Sequence, residues 1–202
     1  MRAWPAALLL IVLGGCASLP SGWPFRATPE QAVAANATAE HAARVRAVKA
    51  WRLAGRIAVQ RDDQGVNAGL DWQQDGARFD LRVVAPLNGG TFALAGDDRG
   101  VTLVTPKGER FAAVSAEALM EAHLGWMLPV SGARWWVRGV PAPAAPVSQE
   151  YFDAHGRWTD FEQSGWRISV LDYVTAGELS LPRKLYLSQA GLQVRVVIKS
   201  WE

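Results

Sequence analysis

Side chains able to do chemistry are few in this sequence and poorly arranged for catalysis. His41, His123 and His155 fall in an N-terminal helical stretch, a mid-chain helical stretch and a turn. Adjacent carboxylates occur as Asp62-Asp63 and Asp97-Asp98, close to turn glycines, where solvation accounts for them. There is no H-E-x-x-H pair for zinc, no G-x-S-x-G nucleophile turn and no glycine loop that would cradle a phosphate. The single thiol, Cys16, permits neither an intrachain disulfide nor a cysteine metal cluster. The expected chemistry is therefore binding rather than catalysis, with no metal or cofactor.

Cys16 has a different chemistry in prospect. Residues 1–15 carry one early arginine, an apolar run through "AALLLIVL" and then "LGGC". That run is a secretory signal, too short to span a bilayer. Small residues between Leu13 and Cys16 resemble the lipobox of bacterial lipoproteins, which would make Cys16 the acylated first residue after cleavage. Ala17 and Ser18 follow without an inner-membrane-retention aspartate, so the expected destination is the outer membrane. Removing the first 15 of 202 residues leaves 187, enough for one domain with a sizeable core, expected over 28–202 behind a lipidated tether at 16–27. Without Arg2, 20 basic side chains face 19 acidic ones, a balance that argues against nucleic acid and against purely electrostatic membrane binding.

The elements that would position a binding site follow from periodicity. Thr28-Pro29-Glu30 reads as a helix start, and the alanine-rich stretch to about Ala50 as a shallowly packed helix carrying Val33, Val45 and Val48. Arg44, Arg46, Lys49 and Arg52 are expected as a solvated basic end suited to the helix dipole. From Trp51 the period becomes two: Val66, Ala68, Leu70 and Trp72 alternate with polar or small residues, as do Phe79, Leu81 and Val83. Further strands are expected near 91–96, 101–105, 109–113, 148–152, 157–163, 166–173, 183–188 and 192–200. A helix capped by Ser115, a second in "SGARWWVRG" and the linker "VPAPAAPV" interrupt them. About eleven hairpin-connected strands with so little helix predict a mainly β fold: a strongly curved antiparallel sheet with helices covering its concave mouth.

Two features are left over. Ala85-Pro86-Leu87-Asn88-Gly89-Gly90 has turn chemistry throughout except for Leu87, a bare apolar residue where water would select a polar one. Tryptophan is plentiful, ten in all, nine of them beyond the signal. Plain packing suits Trp51 and Trp201, at the outer ends of the first and last strands. For Trp72, Trp136 and Trp166, packing and the wall of an apolar cavity remain equally open on the residues alone.

"GRIAV" (55–59), "DWQQ" (71–74), "APL" (85–87), "HLGWMLPV" (123–130), "RWWVRGVPAP" (134–143), "EQSGW" (162–166), "LPRKL" (181–185) and the closing Trp201 occur in order and at similar spacing to the outer-membrane lipoprotein LolB family, which this chain resembles over nearly all of 51–201. The resemblance implies an open eleven-stranded half-barrel with a helical lid. Its apolar interior would take acyl chains, with Trp72, Trp136 and Trp166 beside Phe79 and Leu81 as cavity residues. Leu87 matches an exposed leucine in the family's projecting loop after the third strand, and is expected to dip into the inner leaflet of the outer membrane. Here the loop continues Asn88-Gly89-Gly90, so a longer or more mobile tip is expected. The implied protein is a non-enzymatic, monomeric receptor, anchored to the outer membrane by Cys16 and facing the periplasm. It would accept acylated lipoprotein clients from a LolA-like periplasmic carrier and insert them into the inner leaflet. The competing class is a lipid-binding or scaffolding outer-membrane lipoprotein without transfer activity.

Overall fold

The computed structural model describes residues 29–202 other than 88, 125–128 and 144. The signal, Cys16 and the tether lie outside the described residues, as does the expected cap Thr28. Helix α1 (Pro29–Ala47) leads into β1 (Ala50–Arg61), β2 (Gln64–Asp75), β3 (Arg78–Val84), β4 (Thr91–Asp97), β5 (Gly100–Val104) and β6 (Arg110–Ala113). Helices α2 (Ala116–Leu124) and α3 (Val130–Trp136) follow. The chain ends in β7 (Val147–Phe152), β8 (Trp158–Gln163), β9 (Trp166–Ala176), β10 (Leu179–Gln189) and β11 (Leu192–Trp201).

All eleven strands form one antiparallel sheet in the order β6-β5-β4-β3-β2-β1-β11-β10-β9-β8-β7. The first and last strands therefore meet in the middle, and the edges β6 and β7 are consecutive in the chain. The sheet stays open because the β6–β7 connection holds α2 and α3 in place of a pairing. This is the curved, helix-covered sheet that strand count and alternation predict and the open half-barrel that the family resemblance implies. Period-two alternation puts Leu53, Leu70, Trp72, Leu94, Leu103, Ile168, Leu185 and Val194 on one buried face and Arg52, Gln73, Arg82 and Arg195 on the exposed one. Each fully buried leucine or isoleucine contributes about 1.5–3 kcal/mol. The buried face is completed by Leu119 and Met120 of α2 and by Val130, Ala133 and Trp136 of α3.

Several boundaries differ from the expected ones for identifiable reasons. β10 starts at Leu179, not near 183, because Leu179–Pro182 pair with β9 and the register shifts around Pro182 and Lys184. A proline has no N–H to donate, so it enters an interior strand at a bulge. Val66, expected on the covered face, is 58% exposed, since no described residue covers that end of β2. Helix α1 is not shallowly packed: Val45 and Ala42 are buried, because alanine lets the helix approach closely. Nor is its basic end simply solvated, for Arg46 donates to the Pro141 carbonyl at 3.2 Å.

A bulge also marks the β1–β11 seam, where the register steps from Ala54↔Ser200 to Gly55↔Ile198. A Cβ on Gly55 would stand 2.2 Å from the Val197 carbonyl oxygen. Gly55→Ala is expected to lower stability by about 1–3 kcal/mol, read as a lower urea midpoint.

His41 of α1 is buried, with its Nε2 lacking a hydrogen-bond partner and its ring edge-on to Tyr173. Burial holds its pKa below the usual 6.5, helped by Arg44 and Arg157 and opposed by Asp153. The unfolded chain therefore binds this proton more readily than the folded one. The stability contributed by neutral His41 is present above about pH 6.5 and is lost as pH falls through the lower folded value. The urea midpoint should fall between pH 6.5 and 5, and His41→Gln should flatten that fall.

Candidate functional site

The β3–β4 loop is closed by two backbone hydrogen bonds, Ala85 N–H to Gly90 O at 2.9 Å and Gly89 N–H to Pro86 O at 3.1 Å. Leu87 stands at its tip, 99% exposed and with a φ of +53°. The left-handed region costs a non-glycine residue about 1–2 kcal/mol. Leu87 thus forgoes burial and carries backbone strain, and neither serves the fold. The loop is braced from beside: Gly90 has a φ of +79°, and a Cβ there would meet the Pro106 Cβ at 2.4 Å. Val84 and Val66 are exposed at the same end of the sheet.

The remaining expected site residues come together on the concave side, as packed surfaces rather than walls of an open space. Trp136 is 1% exposed, Trp72 2%, Trp166 3% and Leu81 5%. Trp136 and Trp166 lie 6.3 Å apart between ring centroids, and Trp51 bridges Trp72 at 5.4 Å and Trp201 at 5.8 Å. Phe79, half-buried, borders a cavity of about 130 Å³ with Val101, Ala116 and Val130, beside Asp98 and Arg134. A cavity of ~150 Å³ takes one benzene ring, so this space holds no fatty acyl chain. The concave face is apolar, but α2 and α3 are closed onto it.

Two buried polar residues hold that cover in place, and the sequence reading passed over both. Gln163 is 2% exposed in β8. Its Oε1 accepts from Trp136 Nε1 at 2.7 Å and from the Ala142 N–H at 2.8 Å, while its Nε2 donates to the Ala142 and Ala145 carbonyls, each at 2.8 Å. One amide thereby fastens both α3 and the proline-rich strap after it. Arg138 is also buried, donating to the Val45 and Val48 carbonyls at 2.9 and 3.0 Å from one nitrogen and to Arg134 O at 3.1 Å from Nε.

The Arg138 guanidinium also lies over the rings of Trp135 and Trp51. It faces carbonyls at the end of α1 rather than a carboxylate, as a helix C-terminus favours. Burial pushes its pKa down to about 10, with Arg134 and Arg46 adding repulsion, so it remains charged at neutral pH. The available signal was a glutamine and an arginine inside tryptophan-rich runs, "EQSGW" and "RWWVRG".

By contrast, α2 makes no side-chain hydrogen bond to the sheet among the described residues. Its Glu117 carboxylate accepts from the Ser131 N–H and Oγ of α3 at 3.0 and 2.9 Å. Gln163→Leu keeps the volume but strands the Trp136 and Ala142 donors. It should cost about 2–4 kcal/mol in urea denaturation and speed amide exchange in α3 before the sheet.

A family model described as outer membrane lipoprotein LolB matches residues 49–201. The outer-membrane lipoprotein LolB of Nitrosococcus oceani is 37% identical over 193 residues, covering 96% of this chain and 93% of that protein. The Pseudomonas aeruginosa protein of the same description is 34% identical over 202 residues, covering 100% and 96%. The fold is similar to a LolA superfamily protein from Nitrosomonas europaea, with a TM-score of 0.54 at 9% identity over 83% of this chain and 92% of that one. With the order of motifs, the open half-barrel and these matches in agreement, the chain belongs to the outer-membrane lipoprotein LolB family.

Proposed function

We propose that this protein is an outer-membrane-anchored receptor. It accepts the acyl chains of lipoproteins from a LolA-like periplasmic carrier and inserts them into the inner leaflet. Acylated Cys16 is the anchor, Leu87 the group that enters the bilayer, and the concave face around Trp72, Phe79, Leu81, Trp136 and Trp166 the surface that receives the chains. The observation that carries the proposal is Leu87 itself, wholly exposed at a positive φ.

The energetics support a receptor. Each methylene buried is worth ~0.8 kcal/mol, so three acyl chains represent roughly 30 kcal/mol against water. Client chains must therefore pass between apolar surfaces without crossing solvent. With no nucleotide in the scheme, direction comes from affinity alone, and a difference of about 1.4 kcal/mol is tenfold. One leucine buried in lipid gains about 1.5–3 kcal/mol, enough to orient the body beneath its anchor though too little to hold it there. Because the cavity of about 130 Å³ beside Phe79, α2 and α3 is too small for an acyl chain, acceptance through it requires α2 to swing off the sheet, the end of the cover with the weaker polar attachment among the described residues.

The closed interior also favours a second reading, a lipid-binding or scaffolding lipoprotein that moves no cargo. A transfer assay with fluorescently acylated client loaded on the carrier separates the two, since a scaffold takes none. Leu87→Asn removes the apolar tip and suits the left-handed backbone. It should leave acceptance intact, leave stability unchanged or about 1 kcal/mol higher, and reduce delivery to vesicles at least tenfold. Delivery equal to that of the parent protein would rule out the role of Leu87.

A further inference from the structure

The convex face carries a groove of about 610 Å³, on the opposite side of the sheet from the proposed acyl-chain surface. Its floor is made of small residues, Gly55, Ala58 and Gly69. One wall is Val84, Ala85 and Pro86, which continues directly into Leu87; the other carries Arg56, Arg195 and Lys199. Arg56 pairs with Val197 and Arg195 with Ala58, so the two arginines occupy diagonal positions on neighbouring strands, within reach of one small ligand. Lys199 is the extra residue at the β1–β11 bulge, on the same wall.

Three other arginines of this face are neutralised by carboxylates. Arg52, Arg82 and Arg183 each engage an aspartate. Arg56, Arg195 and Lys199 are exposed and make no ion pair or hydrogen bond among the described residues. Asp71, on the strand beside β1, is taken by Arg52 at 2.7 Å. The groove therefore combines three uncompensated positive charges with an apolar lip, the complement of an amphiphile with an anionic head.

We propose that this convex groove binds the phosphate headgroup of a phospholipid in the membrane that Leu87 enters. The assignment rests on the membrane role of Leu87. With the leucine among acyl chains, the Pro86 wall lies at the base of the headgroups, and the Arg56, Arg195 and Lys199 side chains extend along the phosphate layer. A cation near an anionic surface adds attraction that salt screens, whereas the leucine adds attraction that salt does not weaken. The headgroup site would set the tilt at which the concave mouth meets the bilayer.

Vesicle flotation of the full chain carrying Cys16→Ala, which removes the acyl anchor, tests this. Vesicles of phosphatidylcholine alone are compared with vesicles that also contain phosphatidylglycerol. The Cys16→Ala protein should bind the second kind more tightly, with the advantage disappearing at high salt. Adding Arg56→Gln, Arg195→Gln and Lys199→Gln should remove up to a hundredfold of that advantage and leave binding to phosphatidylcholine unchanged. Removing three exposed cations elsewhere, by Arg44→Gln, Lys49→Gln and Arg78→Gln, should leave most of it. An undiminished phosphatidylglycerol response in the groove variant overturns the assignment, as does an equal loss in the second variant. A groove variant that keeps this response but loses acceptance from the carrier overturns it in favour of a protein partner. Leu87→Asn reports separately: equal binding to phosphatidylcholine with and without it defeats the membrane role of Leu87, whatever the groove variant does.

Discussion

A sheet with one apolar face must cover it, and here the sheet cannot do so by closing on itself. β1 and β11 meet in the centre, which leaves β6 and β7 as edges joined by the only stretch between strands that contains helix among the described residues. The cover is therefore made by the segment that would otherwise be the closing hairpin. This topology makes the cover removable in principle, because α2 and α3 contribute no ladder hydrogen bonds to the sheet. It also concentrates the polar attachment at a few side chains. Gln163 satisfies all its hydrogen-bonding atoms within the strap and α3, and Arg138 joins α3 to the end of α1. Buried polar groups of this kind are costly unless fully partnered.

The asymmetry of these attachments gives the cover two unlike ends. α3 is pinned through Trp136, Arg138 and the strap, whereas α2 leans on apolar contacts and on Glu117 bound to Ser131. Apolar contacts with a sheet are non-directional, so they hold α2 without fixing its geometry as hydrogen bonds would. The packed tryptophans belong to the pinned end, with Trp136 on α3 and Trp166 beside it on the sheet.

The outer surface follows a different logic. Arg52, Arg82 and Arg183 are neutralised by aspartates on the same or neighbouring strands, an arrangement worth little energy per pair in water. The end of the sheet near Leu87 departs from it, with an exposed leucine, exposed Val66 and Val84, and cations left uncompensated. Exposed apolar groups gain nothing from water, and exposed cations, though well hydrated, contribute nothing to the fold. They are compatible with a surface that meets lipid, which has both an apolar layer and an anionic one.

Much of the fold was legible in residue order. Period-two alternation and turn glycines located eleven strands, and Leu87 stood out because its neighbours were all turn formers. Pro182 misled, since a proline reads as a break unless a bulge is known to receive it. By itself the sequence determined strand number, hairpin connectivity, the apolar face and the odd residue at the tip, because these depend on neighbours within a few positions. Only the tertiary structure decided that Leu87 has a positive φ, that the tryptophans lie under a closed cover, that Gln163 and Arg138 hold it, and that Arg56, Arg195 and Lys199 share one groove. Each of those depends on residues far apart in the chain, and sidedness, contact and the absence of a counter-charge exist only once the strands are in register.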